Sequence, residues 1–508
     1  MKTGGEPVKM HQIPSASALR EEAARWRVPF FTALLVGLLA HGYAFFNKLV
    51  NHDEIESLFG KGATVTSGRW GLELVKILFP DWSMPWIYGA VTLLLMAVSA
   101  CLMLRLLEIH SKALQMLLAA LVISFPTLTG NFCFMFTAAP YGWAFLLAVL
   151  ACTLFWEKRP VPAAVGLVLL VLALGIYQSY IAVAASLCVL KMMADAMDAE
   201  RPAGHIVRDG IMALLWMAAA IAVYYGVTQL VFRVTGAEFN GYVTENVNGS
   251  VSLPRRVRMA YDNFGYIFTF RNFYVISSEG SRYLHLVLAV GTMLGLAWLA
   301  AKKRSPLHAG LLLVLLALLP LSICCMFLIM SQQSIHTLVM YSFTAVYFLT
   351  ALVLERLPGT WGRRGGALAG AMLAAVVLSN VYFANMTYLK LQLQYDNAYA
   401  FYTVLTARLT SLEGFDENSR LAFVGRQETL LHAFPELDTE LLQGPSPDLV
   451  NIYSRENLLR YYLGFDVPFA SEEDCAALEA NPVVQAMPVY PYEGSVRKIG
   501  DMVVIRLG

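Results

Sequence analysis

Long apolar runs separated by short polar segments occupy the first three quarters of the chain. A helix that crosses a hydrocarbon core of about 30 Å needs about 20 mostly apolar residues. The runs that approach this length predict a mainly α polytopic membrane protein with about 11 transmembrane helices. The predicted helices are 28–49, 85–108, 113–129, 138–156, 161–178, 180–197, 210–232, 283–301, 307–330, 338–356 and 367–388.

Lys and Arg in the short loops predict how these helices are oriented. Short cytoplasmic loops carry an excess of Lys and Arg. Basic residues precede the first run, and they cluster again at 302–304 and 356–364. We therefore expect the N-terminal segment 1–27 to be cytoplasmic. An odd number of spans then places residues 389–508 on the outside.

Two amphipathic stretches lie in long loops that this orientation places outside, 50–84 and 233–282. In the first loop, apolar residues recur at helical spacing over 67–79. In the second, a basic cluster runs into aromatic residues over 255–274. Amphipathic helices with aromatic belt residues lie in the membrane interface. We expect one interfacial helix in each loop.

The tail of the chain is more polar than the rest. Its pattern predicts a helix at 395–412 and β-type runs at 421–424 and 502–507. A small C-terminal extracytoplasmic α/β domain is the expected result. The predicted division is therefore a cytoplasmic segment 1–27, a transmembrane domain 28–388 and an extracytoplasmic domain 389–508.

The composition supports a membrane protein. Hydrophobic residues make up 57% of the chain and charged residues 14%, whereas a soluble protein averages about 25% charged residues. The net charge of +1 does not point to nucleic acid. The seven cysteines show no CxxC or Cys/His ligand spacing, and there is no HxxxH or DxD motif. We expect no disulfide framework, no cofactor and no bound metal.

Two adjacent carboxylates, Asp53 and Glu54, directly follow the first apolar run. Carboxylates beside a membrane helix are costly unless they face water, a partner or a substrate. Solvation of a polar loop explains them equally well on position alone. Neighbouring residues of a helix point in different directions, so we expect different roles for the two. Both are candidate catalytic residues.

Arginines on the predicted outside face are candidates for binding a phosphate. Arg69 lies between small residues in Ser67-Gly-Arg-Trp-Gly71, which allows a planar guanidinium to approach an anion closely. An arginine that reaches to the membrane interface would look the same. A further surplus of arginines in the second long loop is expected if this loop holds a lipid phosphate. The candidates are Arg69, Arg255, Arg256, Arg258 and Arg282.

Polar and aromatic residues near the same face could contact a sugar. Tyr177-Gln-Ser-Tyr180 forms a polar turn between two apolar runs, although any tight turn needs such residues. A single histidine at a turn is more often a hydrogen-bonded surface residue than a ligand. The candidate substrate-binding residues are His52, Trp70, Tyr177, Gln178, Tyr180, Gln332 and His336.

The centres of the predicted spans hold almost no ionisable residues, and Arg105, Lys191 and Arg233 lie towards their ends. Transporters usually place such residues near mid-membrane. The pattern therefore favours a reaction at the outside face over an ion-coupled path. A transporter or flippase of lipid-linked sugars and a non-catalytic cell-envelope scaffold are the alternatives. Loss of glycan modification in an Asp53→Ala variant would separate an enzyme from both.

Three motifs resemble the GtrII-type glucosyltransferases: Asn51-His-Asp-Glu54 after the first run, Ser67-Gly-Arg-Trp-Gly71, and Tyr177-Gln-Ser-Tyr180. The resemblance covers roughly 28–388. It implies the GT-C glycosyltransferase architecture in a bacterial cytoplasmic membrane. It also implies transfer of glucose, or a related hexose, from a polyprenyl-phosphate carrier to a cell-surface glycan outside that membrane.

GT-C enzymes characteristically carry an essential carboxylate in the first outside loop, and Asp53 and Glu54 match that position. The resemblance leaves open which of the two is the base; we favour Asp53. A glycosyl phosphate already has a good leaving group if cations stabilise the developing charge, which arginines could do without a metal. A carboxylate would take the proton of the acceptor hydroxyl. A single displacement would invert the anomeric configuration.

Overall fold

The computed structural model describes residues 16–198, 201–247, 251–268, 278–302, 305–329, 337–425 and 450–507, and it is mainly helical. Sixteen α-helices precede the tail. They are α1 (Ala16–Phe46), α2 (His52–Glu56), α3 (Gly71–Val75), α4 (Pro85–Leu106), α5 (Lys112–Ser124), α6 (Pro126–Cys133), α7 (Met135–Phe155), α8 (Pro160–Ile176), α9 (Ile181–Met197), α10 (Ala203–Thr235), α11 (Gly241–Asn246), α12 (Leu253–Phe268), α13 (Ser278–Lys302), α14 (Pro306–Ile323), α15 (Thr344–Arg356) and α16 (Gly359–Thr410). Short 3₁₀ turns occur at Val65–Ser67, Gln178–Tyr180, Cys325–Leu328, Thr337–Val339 and Tyr341–Phe343.

Within the described residues, nine helices are long and apolar enough to cross a membrane. The other two predicted spans correspond to shorter helices: 161–178 to the 17-residue α8, and 338–356 to the 13-residue α15 and the turns before it. The protein is therefore a membrane protein by the length and composition of its helices, and the number of spans stays a prediction. The nine are Ala24–Phe46, Pro85–Leu106, Lys112–Cys133, Met135–Phe155, Gln178–Met197, Ala203–Thr235, Tyr283–Lys302, Pro306–Ile323 and Arg364–Thr410.

Small residues allow α1 and α4 to pack closely. A Cβ atom on Gly37 would lie 2.1 Å from a methyl carbon of Leu93, and one on Gly89 would lie 2.2 Å from the ring of Phe45. Small residues at helix interfaces permit this approach in membranes, where dispersion contacts drive helix association. Helix α4 packs against both α1 and α7 in the helical core, and α5 packs against α1.

A buried histidine links three helices of this core. His41 on α1 is fully buried, its Nδ1 lies 2.7 Å from the hydroxyl oxygen of Tyr388 on α16, and its Nε2 lies 2.8 Å from the carbonyl oxygen of Ile123 on α5. A polar side chain in a hydrocarbon environment needs such partners. His41 is thus accounted for by its packing and hydrogen bonds within the helical core.

The spacing of apolar residues predicted one helix over the first amphipathic stretch, but the structure does not contain a continuous helix there. The 3₁₀ turn Val65–Ser67 ends at Gly68, whose φ of 69° lies in the left-handed region. Glycine adopts this conformation without steric cost. The left-handed residue keeps a regular helix from running from residue 67 into α3. The five-residue α3 follows. In the second loop, α12 covers the first part of the predicted stretch, and the part beyond Phe268 lies outside the described residues.

The boundary predicted after residue 388 falls inside a helix. The 52-residue α16 joins the last predicted span 367–388 to the predicted tail helix 395–412. No Gly or Pro occurs between residues 371 and 410, so nothing in the backbone chemistry ends the helix there. The C-terminal turns of α16 therefore continue the last predicted span directly into the tail.

A three-stranded sheet follows α16, with strand order β1-β3-β2. Strand β3 pairs in parallel with β1 and antiparallel with β2. The sequence predicted β1 and β3 but not β2, whose two central residues, Arg497 and Lys498, are charged and exposed. Whether 389–508 forms a separate domain stays a prediction. The tail elements are β1 (Arg420–Val424), α17 (Ile452–Asn457), a π turn (Leu458–Tyr462), α18 (Glu472–Glu479), α19 (Pro482–Gln485), β2 (Val496–Ile499) and β3 (Met502–Arg506).

Candidate active site

Helix α2 begins shortly after α1, and Asn51 holds its first turn in place through two hydrogen bonds. The Asn51 side chain accepts a hydrogen bond from the backbone N–H of Glu54 at 2.7 Å and donates one to the carbonyl oxygen of Cys133 at 2.8 Å. Asn51 is fully buried. This N-cap stabilises the first turn of α2 and fixes it against the end of α6.

Glu54 is completely buried at this junction. Its Oε1 accepts hydrogen bonds from the Lys48 ammonium and from the Ser83 hydroxyl, and its Oε2 accepts one from the backbone N–H of Phe136 at 3.2 Å. A buried carboxylate requires such a set of donors, because an unpaired buried charge is strongly unfavourable. Glu54 therefore links α2 to the segment that follows α1, to the segment before α4 and to α7.

Asp53 points in a different direction, as expected for its neighbour in a helix. Its side chain is 44% exposed. The hydroxyl of Tyr453 donates a hydrogen bond to its Oδ1 at 2.9 Å, and Nε2 of His52 lies 3.7 Å from the same oxygen. The carboxylate is thus reachable from solution while one of its oxygens is positioned by a tail residue.

The tail packs over α2 through further contacts. Asn457 donates a hydrogen bond to Glu56 at 2.7 Å, and the ring of Tyr461 meets Phe59 edge to face at 5.1 Å between centroids. Burial raises the pKa of the Glu56 carboxyl. Burial, together with the charge of Asp53, also raises the pKa of the Tyr453 phenol, which keeps it protonated as a donor. Residues 453–461 therefore form one side of the Asp53 site.

Lys61 is a buried amine next to this site that the sequence did not single out. Only 3% of the residue is exposed. Its ammonium donates to the carbonyl oxygen of Pro80 at 2.8 Å and lies 3.1 Å from the Tyr88 hydroxyl. Burial lowers the pKa of Lys61 to about 8, although the carboxylates of Asp81 and Glu54 oppose this shift. A lone lysine in a polar loop carries no sequence signal of burial.

Arg69 lies against two stacked tyrosines. Its Nη1 donates to the hydroxyl of Tyr141 at 3.1 Å, and its guanidinium carbon is 5.5 Å from the ring centroid of Tyr177. The two rings are stacked with their centroids 4.2 Å apart. A guanidinium over an aromatic face keeps its charge and is oriented by the ring. The arrangement presents a fixed, half-buried cation.

The two motifs around Arg69 and Tyr177 pack directly on each other. The Gln178 side-chain amide donates to the carbonyl oxygen of Ser67 at 2.8 Å. A Cβ atom on Gly71 would lie 2.7 Å from the backbone carbon of Gly175, so the two backbones are in contact. The indole N–H of Trp70 donates to Thr228 on α10 at 3.2 Å. The structure therefore brings together two sequence motifs that lie about a hundred residues apart.

Three predicted sugar-binding aromatic residues are buried in this packing. Trp70, Tyr177 and Tyr180 are 7%, 4% and 1% exposed. Aromatic residues that stack on a ligand need one open face, and in this structure these rings contact protein groups instead. In this structure these side chains pack the segment that carries Arg69 against the rest of the protein.

The acidic and basic groups lie at the same end of α7. Glu54 is bonded to the backbone of Phe136, and Arg69 to the side chain of Tyr141. Five residues of an α-helix rise by about 7.5 Å, so the two attachment points lie within the first two turns of α7. Carboxylates and a cation thus share one region at this end of the bundle.

The arginines of α12 occupy different surroundings from Arg69. Arg256 donates to the carbonyl oxygens of Leu328 and Ile329, both at 3.0 Å, and therefore has a structural role. Arg255 is exposed, and so is Arg258, whose Nε is 3.4 Å from Asp262. The predicted residues Gln332 and His336 and the side chain of Arg282 lie outside the described residues.

No group of three or more His, Cys, Asp or Glu side chains is arranged to hold a metal ion within the described ranges. The expectation that the site works without a metal stays a prediction.

A family model described as "Glucosyl transferase GtrII" matches residues 42–349, which is more than half of the chain. The match begins in the last turn of α1 and includes α2, Arg69 and the Tyr177 turn, whereas α16 and the tail follow it. No curated protein and no solved structure matches the chain.

Proposed function

The chain belongs to the glucosyl transferase GtrII family, and on that premise we propose that it moves a hexose, glucose in the first instance, from a polyprenyl-phosphate carrier to a cell-surface glycan. The family and the long apolar helices fit a membrane glycosyltransferase. Beyond the family and the membrane, we propose the carrier, the acceptor, a reaction at the outside face of a bacterial cytoplasmic membrane, a GT-C architecture and the roles of named residues.

The contrast between Asp53 and Glu54 carries the proposal. A general base must reach the proton that it removes. The Asp53 side chain is 44% exposed, whereas Glu54 is fully buried and bonded to Lys48 and Ser83. We assign the base to Asp53 and a positioning role to Glu54, which holds α2 in place without touching the substrate.

Arg69 is the proposed partner of the donor phosphate. Its guanidinium rests on Tyr177 and is bonded to Tyr141, so it needs little reorganisation when charge develops on the leaving group. Arg255 and Arg258 are exposed and could approach the same phosphate after a movement of α12; Arg282 is kept as a candidate. Arg256 is a weaker candidate because its guanidinium already binds backbone carbonyls.

The reaction is a single displacement. The acceptor hydroxyl oxygen forms a bond to the anomeric carbon, and the bond between that carbon and the phosphate oxygen breaks. The hydroxyl proton passes to Asp53, and polyprenyl phosphate leaves with its charge stabilised by Arg69. Because attack and departure occur on opposite faces, the anomeric configuration inverts. No metal is needed in this scheme.

An exposed apolar surface next to Arg69 suits a donor that arrives through the bilayer. Leu74, Ile77 and Leu78 are 56%, 89% and 62% exposed on the segment that follows the Arg69 motif. Such side chains are unfavourable in water and favourable in the acyl region of a membrane. This segment supports the interfacial position predicted for it, although it forms only a short helix.

Reconstituted protein tests the proposal. Proteoliposomes with wild-type protein, polyprenyl-phosphate glucose and a surface-glycan acceptor should yield glucosylated acceptor with inverted configuration. Asp53→Asn should lower the rate at least about 100-fold, the usual contribution of a general base. The matched control is Asp501→Asn, which removes an exposed tail carboxylate. Equal rates for Asp53→Asn and wild type would refute the assignment of the base.

A further inference from the structure

A cavity of about 740 Å³ lies where the start of α1, the end of α4 and the start of α5 meet. Its wall is formed by residues 24–29 of α1, by 101–110 at the end of α4 and the following turn, and by Lys112 and Gln115 of α5. The proposed reaction does not use it, and the α1 part of its wall precedes the family match.

The cavity lies at the opposite end of the same helices from Asp53. Helix α1 runs from the cavity at Pro29 to Phe46, just before α2. Seventeen residues of helix rise by about 25 Å, which is close to the thickness of a hydrocarbon core. Helix α4 repeats this arrangement, because Pro85 lies at the Asp53 end and Arg105 at the cavity. The cavity therefore belongs to the other membrane surface.

Positive charge predominates in the lining. Among the described residues that line the cavity, Arg25, Arg105 and Lys112 are cations and Glu108 is a carboxylate. That carboxylate is already paired, since its Oε1 lies 2.8 Å from the ammonium of Lys191. The local excess of positive charge contrasts with the chain as a whole, whose net charge is +1.

Apolar side chains form much of the rest of the wall, which also includes His110 and Gln115. Trp26, Val28 and Pro29 on α1 and Leu104 on α4 face the same space as the cations. A cation cluster that continues into an apolar wall at a membrane surface is the chemistry of an anionic lipid site: the cations contact a phosphate, and the wall contacts glycerol and acyl carbons.

We propose that this cavity binds the phosphate headgroup of an anionic membrane lipid. The site is separate from the proposed catalytic site and does not depend on the transferase assignment. A free phosphate ion shares the headgroup chemistry but would not use the apolar wall, so the two sources can be distinguished.

Native mass spectrometry of the full chain, released from detergent with added lipid, tests the site. Wild-type protein should retain phosphatidylglycerol in preference to phosphatidylcholine. A Lys or Arg near anionic headgroups contributes roughly a fivefold factor in binding. Arg25→Gln/Arg105→Gln/Lys112→Gln should therefore lower retention of phosphatidylglycerol at least about tenfold.

The matched control is Arg208→Gln/Lys302→Gln/Arg364→Gln, which removes the same charge from exposed residues outside the cavity. It should retain phosphatidylglycerol as wild type does. Equal loss in both triple variants, or no lipid preference in wild type, would overturn the proposal. If the cavity variant fails to fold, the single Lys112→Gln change at an exposed position is used, with a smaller loss expected.

In a second set of measurements, inorganic phosphate is added to the protein at millimolar concentration before the lipid is added. Phosphatidylglycerol retention that is unchanged supports a lipid site. Displacement of the lipid by inorganic phosphate, with no dependence on acyl chains, would overturn the lipid assignment in favour of a soluble phosphate.

Discussion

Asp53 and Glu54 are adjacent in the chain but differ in surroundings because each meets residues far away in sequence. Glu54 contacts Phe136, and Asp53 contacts Tyr453, 82 and 400 positions away. The sequence could predict that the two side chains diverge, since that follows from helix geometry. Which of them would be buried depends on long-range contacts that no local pattern contains.

Replacing Glu54 tests its positioning role. Glu54→Gln removes the charge that pairs with Lys48 and disturbs the bonds to Ser83 and Phe136. Leaving buried polar groups without partners costs about 1–3 kcal/mol, so the midpoint of thermal unfolding in detergent should fall clearly. Asp53→Asn, at a 44% exposed side chain, is the control and should leave the midpoint nearly unchanged. An unchanged midpoint for Glu54→Gln would contradict the structural role.

Lys61 should make stability depend on pH. Burial lowers its folded-state pKa to about 8 from the ordinary value of 10.5. Between these values the unfolded chain binds more protons than the folded protein, so stability rises with pH. The wild-type unfolding midpoint should therefore increase between pH 8 and 9.5, relative to a Lys61→Met variant.

Lys302→Met serves as the comparison for Lys61, because Lys302 is an exposed lysine that is not among the groups that shift the pKa of Lys61. This variant should keep the same rise with pH as wild type. Parallel pH curves for wild type and Lys61→Met would show that Lys61 is not held in the environment described.

At the scale of elements, the apolar runs predicted the helices well because membrane helices are set by hydrophobic length. The errors have local causes. Gly68 delays the start of a helix that the spacing predicted from residue 67, and the absence of Gly and Pro allows α16 to pass the predicted boundary at residue 388. Strand β2 has charged residues at its two central positions and therefore shows no apolar run, yet it pairs antiparallel with β3.

The contact between the Arg69 motif and the Tyr177 turn is testable with glycine variants. A Cβ atom on Gly71 would lie 2.7 Å from the backbone of Gly175, and backbone atoms cannot rotate away. Gly71→Ala should cost about 1–3 kcal/mol of stability and reduce transfer by displacing Arg69. Thermal unfolding and glucosyl transfer are measured together.

Gly226→Ala is the matched control, because no atom lies within 4 Å of its added Cβ in α10. It should be neutral or slightly stabilising, since alanine is favoured over glycine within a helix. If the two glycine variants behave alike, the close contact between the two motifs is not needed for folding or transfer.

At the scale of the whole molecule, the two ends of the bundle differ in chemistry. One end holds Asp53, Arg69 and the tail residues around Tyr453. The other holds the cation-lined cavity and a network of ion pairs that joins several helix ends. Those pairs are Lys191–Glu108, Lys191–Asp195, Arg201–Asp195, Arg201–Asp209, Lys158–Asp209 and Arg356–Asp198.

The tail is the part of the site that the sequence did not predict. It lies after the family match, which ends at residue 349, yet Tyr453 and Asn457 contact the helix that carries Asp53. The motifs after α1 could be recognised because they are short and continuous in the chain. A contact between residues 53 and 453 leaves no such signature.

We propose that the protein transfers a hexose to a cell-surface glycan and that Asp53 is the general base of this reaction. The most direct measurement is the structure of that glycan, determined by nuclear magnetic resonance, from cells that lack the protein and from the same cells supplied with wild type, Asp53→Asn or Asp501→Asn. We predict a hexose substituent with wild type and Asp501→Asn, and none with Asp53→Asn at equal protein level. A full hexose substituent with Asp53→Asn, or an identical glycan with and without the wild-type protein, would contradict the account.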